Sequence, residues 1–191
     1  MKLLEERIAR EGIILPGDVL KVGSFLNHQI DTRLLDQMGA EIGSLYSGCG
    51  VTKILTIEAS GIAVAAAAAR YFDFCPMVFA KKLIGRNVSG EVLTSSVVSY
   101  TKGTTYDISV QKDLISPEDR ILIIDDFLAN GEALKGLIDV TKQGGASVVG
   151  AAIVIEKAYQ PGGRLIRDMG IRVESLARIS CMDPEKGIEF C

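Results

Sequence analysis

A chain of 191 residues suffices for one domain with a substantial core and is too short for two of equal size. Its 48% hydrophobic and 24% charged residues exclude a disordered composition, and a net charge of -3 without a lysine or arginine cluster excludes an extended nucleic-acid footprint. Cys49, Cys75, Cys181 and Cys191 are scattered and His28 is the only histidine, so neither a zinc site, a disulfide framework nor a two-histidine mechanism is expected. No apolar run reaches membrane-spanning length and residues 1–10 lack a secretory core, which predicts a cytoplasmic protein with no membrane partner. The slightly apolar balance leaves room for a subunit interface.

Charge alternates with Leu3, Leu4 and Ile8 in a first helix that Gly12 ends, and Leu34, Leu35, Met38, Ile42 and Leu45 mark a second helix over 31–46. Residues 13–30 between them, with Pro16-Gly17 and Ser24-Phe25-Leu26-Asn27-His28, read as irregular with short strand-like pieces. Lys53-Ile54-Leu55-Thr56-Ile57 is a strand, followed by the turn Glu58-Ala59-Ser60-Gly61 and an alanine-rich helix over 62–70. A short strand at 78–80 runs into Lys81-Lys82. Alternating residues at 91–100 and 106–110, with Gly103-Thr104 between, read as a hairpin.

The third strand spans 121–126, its helix 132–143, and Gly144-Gly145 stops that helix. A fourth strand is expected at 147–156, a short helix at 165–169 after Pro161-Gly162-Gly163, a fifth strand at 171–176, and an edge piece at 188–190. Strands alternating with helices predict an α/β fold: a parallel sheet flanked by helices, with ligands outside the carboxyl ends of its strands.

The most telling segment is Ile121-Leu122-Ile123-Ile124-Asp125-Asp126-Phe127-Leu128-Ala129-Asn130-Gly131-Glu132-Ala133. A strand buried on both faces runs into two carboxylates, a short turn, and a glycine that opens a helix. The unpaired N–H groups of a helix start suit a phosphate, whereas ionised carboxylates, which only accept, suit sugar hydroxyls, a cation or a developing positive charge. A ribose 5-phosphate carries both features. Adjacent strand residues point to opposite faces, so Asp125 and Asp126 take different roles unless the strand has already ended there.

Other positions at the same sheet edge can serve such a ligand. Ser60 and Gly61 end the turn after the first sheet strand, where N–H groups could take a second anion, although a plain turn satisfies the same residues. Lys81 is weakly favoured over Lys82 to face a pyrophosphate. The hairpin over about 84–106, rich in glycine, serine and threonine and containing Lys102, fits a mobile lid or an ordinary exposed hairpin. Lys157 ends the fourth strand, where an ammonium could recognise an oxo group.

This string resembles the phosphoribosyl pyrophosphate (PRPP) signature of type I phosphoribosyltransferases. Together with Val19-Leu20-Lys21-Val22, Ser24-Phe25-Leu26-Asn27-His28-Gln29-Ile30-Asp31, Ile153-Val154-Ile155-Glu156-Lys157 and Arg172-Val173-Glu174-Ser175-Leu176-Ala177-Arg178-Ile179, it is similar to the bacterial xanthine branch of that family over essentially the whole chain. The resemblance implies a single domain, 1–191, with a small N-terminal hood over about 12–30 and a hairpin lid. It implies a homodimeric purine-salvage enzyme acting on PRPP and xanthine with Mg2+, the metal having no dedicated protein ligands. Leu20, Asn27 and Lys157 match xanthine contacts, and Ala129, Asn130, Gly131, Glu132 and Ala133 match the PRPP loop. Where the broader family carries hydroxyl side chains in that loop, this chain has Ala129, Asn130, Glu132 and Ala133, so backbone N–H groups and the Asn130 amide would take their place, with Glu132 turned away from the ligand. Transfer to guanine or hypoxanthine and a PRPP-sensing regulator remain the alternatives.

Overall fold

The computed structural model describes residues 1–82, 90–99 and 104–191, so Lys102, Gly103 and much of the expected lid lie outside the described residues. Helix α1 (Lys2–Glu11) leads into a small hairpin, β1 (Ile13–Leu15) and β2 (Val19–Lys21), then a wide helical turn at Gly23–Asn27 and α2 (Thr32–Leu45). A first βαβ unit follows, β3 (Lys53–Ile57), α3 (Gly61–Ala69) and β4 (Met77–Lys82). Next come β5 (Val92–Ser99), β6 (Thr104–Gln111), β7 (Arg120–Leu128), α4 (Glu132–Gln143), β8 (Ser147–Lys157), α5 (Gly162–Asp168), β9 (Val173–Asp183) and β10 (Gly187–Phe190).

Eight strands form one sheet in the order β10-β9-β8-β7-β3-β4-β6-β5. Its five central strands, β9 to β4, are parallel, and antiparallel strands close both edges. Ile121 and Ile123 pack into one apolar layer with α4 and the β5–β6 hairpin, while Leu122 and Ile124 pack into the other with α1, α2 and α3. Alternation along a strand buried on both faces produces this division, and it explains why β7 is almost uninterrupted in branched apolar residues.

Several boundaries differ from those expected, β4 and β6 among them, and three have a clear cause. β7 continues two residues past Asp126 because Phe127 and Leu128 still pair with Ile155 and Glu156 of β8. α5 begins at Gly162 rather than at 165, with Pro161 at φ -72° as its first cap, a backbone angle the proline ring presets. β9 runs on to Asp183 because its second half pairs with β10. The hairpin is also no free-standing flap at its base: Ser109 and Ile108 of β6 pair with Lys81 and Lys82 of β4.

Glu156 ties α5 to β9 behind the end of β8. Its side chain is 2% exposed, receives two parallel hydrogen bonds from Arg167 at 2.7 and 2.9 Å, accepts from the Ser175 hydroxyl at 2.6 Å, and lies 3.3 Å from Arg178. Burial alone would raise the acid's pKa, but the guanidinium and hydroxyl donors outweigh it and hold it below the usual carboxylate range. Glu156 therefore contributes stability above its unfolded pKa that is lost as pH falls through the folded one. Both arginines reach solvent, so Glu156→Ala is expected to destabilise by roughly 2–3 kcal/mol at pH 7, near the low end for broken buried pairs. Denaturant midpoints should show this difference shrinking as the pH is lowered below about 4.

Candidate active site

β3 and β7 are adjacent and parallel, but the chain leaves β3 toward β4 on one side and leaves β7 toward β8 on the other. The loops that follow these two strands diverge and open a crevice at the carboxyl edge. Topology thus brings Ser60 and Gly61 beside Asp125 and Asp126, four residues that are more than sixty positions apart in sequence.

Asp125 is 5% exposed and Asp126 half-buried. The Asp126 N–H donates to Asp125 Oδ1 at 3.0 Å, so the two carboxylates act as a close pair although both still belong to the strand. Burial pushes both acids above the usual range; the neighbouring Asp126 raises Asp125 further, while hydrogen bonding between the two carboxyl groups and with Ser60 restrains the rise at Asp126. Among the described residues no lysine or arginine forms an ion pair with either one. The site stores unneutralised acid.

One turn later the backbone reverses at Gly131, whose φ of +84° lies in the left-handed region that glycine adopts without strain. Gly131 caps α4 with no side-chain acceptor, so the N–H groups of the first turn are left to a ligand or solvent. Tyr106, Phe127, Ala129, Asn130, Gly131 and Ala133 line a cleft of about 160 Å3 at this point. Glu132 also lines this cleft, and its carboxylate is paired at 2.8 Å with Lys135 of its own helix.

The loop is shaped from behind by Gly162, a residue that the sequence reading passed over as part of a turn. The Gly162 N–H donates to the Ala129 carbonyl at 2.9 Å. A methyl group on Gly162 would stand 2.3 Å from that same oxygen and 2.6 Å from the Gly131 nitrogen, far inside van der Waals contact. The only signal in sequence was Pro161-Gly162-Gly163 itself, and a turn-forming string does not reveal what it packs against.

The two lysines that end β4 separate by strand alternation. Lys81 Nζ lies 5.6 Å from the Phe79 ring, whereas Lys82 Nζ lies 4.7 Å over the Tyr106 ring, and Tyr106 lines the cleft. The Lys82 N–H also donates to Glu58 at 2.8 Å, joining β4 to the turn before Ser60.

Of the three base-reading candidates, Leu20 and Lys157 are buried and Asn27 is exposed. Leu20 packs in the apolar layer under the hood and Lys157 Nζ donates to the carbonyl of Asp18, so the hood meets the end of β8 directly. Burial lowers the Lys157 pKa, and the Asp18 carboxylate, 3.9 Å away, opposes that fall. No described contact joins Asn27 to Lys157 or to the aspartates.

An acid whose folded pKa is raised makes the native state bind more protons than the unfolded one, so it withdraws stability as pH rises from the unfolded value through the folded one. Asp125→Asn keeps the oxygen that accepts from Asp126 and removes the charge. The variant is expected to be more stable than the parent at pH 8, with the difference shrinking as the pH falls toward 4. Urea unfolding at the two pH values measures this directly.

Comparison with known proteins agrees with this geometry. Residues 32–172 match the model of the phosphoribosyl transferase domain. The chain is 53% identical to a xanthine phosphoribosyltransferase of Lachnoclostridium phytofermentans, over 98% of this chain and 96% of that protein, and 50% identical to one of Bifidobacterium adolescentis over 100% and 99%. In fold it is similar to the adenine phosphoribosyltransferases of Trypanosoma brucei (TM-score 0.76, 16% identity, 92% of this chain and 79% of that one) and Rhodothermus marinus (TM-score 0.73, 23% identity, 93% and 99%). The crevice between β3 and β7, its buried acids and its glycine-opened helix are thus those of a chain that belongs to the phosphoribosyltransferase family, in the branch of the bacterial xanthine phosphoribosyltransferases.

Proposed function

We propose that this protein transfers the 5-phosphoribosyl group of PRPP to a ring nitrogen of xanthine, releasing pyrophosphate and forming xanthosine 5′-monophosphate. The observation that carries the reading is the Asp125–Asp126 pair placed one turn before a helix whose first residues, opened by Gly131 without a side-chain cap, line the cleft. The 5′-phosphate sits on those N–H groups and on the Asn130 amide, within the loop 129–133, where helix dipole and donors act together. The ribose hydroxyls lie against Asp125 and Asp126.

As the bond from the anomeric carbon to pyrophosphate breaks, its electron pair leaves with the pyrophosphate and positive charge develops on the sugar. A buried acid pair that lacks a countercation is stabilised by that charge, so its desolvation works in favour of the transition state. The purine nitrogen then supplies the electron pair of the new glycosidic bond, and the proton it carried passes to solvent or to a carboxylate. Ser60 and Gly61, with a lysine of the pair Lys81 and Lys82, receive the departing pyrophosphate. Leu20, Asn27 and Lys157 read the base. An ammonium donating to an oxo group disfavours adenine, which presents an amino group there.

The residues present also fit a Mg2+ ion carried in by the substrate: two adjacent acids accommodate a nearby cation, while no cluster of three or more acid, cysteine or histidine ligands occurs among the described residues. Such an ion would neutralise charge on the sugar and pyrophosphate oxygens. We place the enzyme in the cytoplasm as a homodimer. What supports the location is the set of four free cysteines, which suits a reducing compartment, and what supports the dimer is the number of large apolar side chains left exposed, Phe74 at 76% among them.

The reading is tested by incubating the protein with PRPP, Mg2+ and xanthine, guanine, hypoxanthine or adenine and separating the nucleotides. Xanthosine monophosphate should form with the highest catalytic efficiency; nucleotide from none of the bases would overturn the assignment. Asp125→Asn and Asp126→Asn should each lower kcat by at least about a hundredfold, a loss of roughly 3 kcal/mol of transition-state stabilisation. Wild-type turnover in both would remove the aspartates from the mechanism. Gly162→Ala, which touches no substrate, should raise the KM for PRPP by about tenfold while leaving the KM for the base within a factor of two, because its methyl group displaces the Ala129 carbonyl.

A further inference from the structure

From the contacts at the tip of the N-terminal hairpin we infer that Asp18 is a positioning residue for base recognition, which clips the hood to the end of β8 and holds Lys157 in place for the purine. The inference rests on Lys157 reading the base, as proposed above. The Asp18 carboxylate accepts from the Tyr159 hydroxyl at 2.6 Å and from the Gln160 side-chain amide, and its main-chain carbonyl accepts from Lys157 Nζ. One residue therefore engages all three polar side chains of the segment 157–160, namely Lys157, Tyr159 and Gln160.

The backbone is built for this task. Asp18 sits at φ +63°, a left-handed conformation that most side chains resist and that Asp and Asn tolerate. Turning the chain there directs both the carbonyl and the carboxylate toward 157–160. An ammonium has three donors, and Lys157 uses one on the Asp18 carbonyl, which fixes its direction while leaving others for an oxo group. The Lys157 side chain is only 10% exposed, so its charge depends on what faces it. Asp18 from the hood is the carboxylate that does so; the Tyr159 phenol is itself bound to Asp18, Cys181 of β9 lies near Tyr159, and Glu156 with Arg178 is directed the other way along the strand.

The decisive experiment compares the wild type, Asp18→Asn, Lys157→Gln and the double variant by steady-state kinetics with xanthine and PRPP from pH 7 to 10. Asn retains the left-handed backbone and one acceptor oxygen while removing the charge and the second acceptor, so folding is verified by thermal melting and the pH dependence isolates the effect of the charge. Asp18→Asn should raise the KM for xanthine about five- to tenfold with the KM for PRPP unchanged. Because Lys157 would lose its proton at lower pH without the carboxylate, the ratio of variant to wild-type kcat/KM should fall further as pH rises, and ionisation of the base itself cancels in that ratio. In the Lys157→Gln background the Asp18 substitution should add nothing further, the mark of a residue that acts through another. A pH-independent ratio, or full additivity in the double variant, overturns the inference. If instead Lys157→Gln leaves the KM for xanthine unchanged, it is the proposed base-reading role of Lys157 that fails, and the two failures are distinguished by which single variant is silent.

Discussion

A carboxylate taken out of water beside another carboxylate is among the least favourable arrangements a protein can hold, and Asp125 and Asp126 hold it at the centre of the sheet. The surrounding architecture sustains that arrangement. β7 lies between β3 and β8, paired on both sides and packed on both faces, so its end cannot relax by swinging the acids into solvent. A strand with such extensive apolar burial can carry the local penalty because each of its branched side chains contributes on the order of 1.5–3 kcal/mol of transfer free energy.

Two loops come to the acids from opposite directions because the sheet changes its direction of growth between β3 and β7. One brings Ser60 and Gly61, the other Asn130 and Gly131. Their shapes are set by main-chain neighbours: Glu58 is held by the main chain of Lys82, and the loop after β7 is held by Gly162. The hood is fastened in the same way, through Asp18, to the residues that follow β8. Rigid strands carry the chemistry and close backbone contacts set the loops.

The sequence made the acids and the glycine turn legible because strand period, chemical type and order coincide in thirteen consecutive residues. Lys157 could be placed at a strand end for the same local reason. What escaped was tertiary: Asp18 and Gly162 act by what they touch across 139 and about 30 positions of chain, and neither an aspartate after Pro16-Gly17 nor a Pro-Gly-Gly string states its partner. Element ends drifted where pairing continued beyond the propensity signal, as at Phe127-Leu128 and along β9, because a neighbouring strand extends a ladder whatever the local residues prefer. Asp125 and Asp126 do belong to the strand, yet their carboxyl groups interact and a main-chain hydrogen bond joins them, a pairing that strand alternation alone does not anticipate.

The hairpin of β5 and β6 touches more than the sheet edge. Gly136, in the second turn of α4, leaves room for Val97 of β5 and Ile108 of β6 to press against the helix backbone; a methyl group there would stand 2.8 and 3.1 Å from them. The helix that starts at the anion loop is therefore braced along its length by the same two strands that reach toward the cleft through Tyr106. The described parts of those strands and the body of α4 therefore pack as one unit, so the base of the hairpin and the anion loop share a single support.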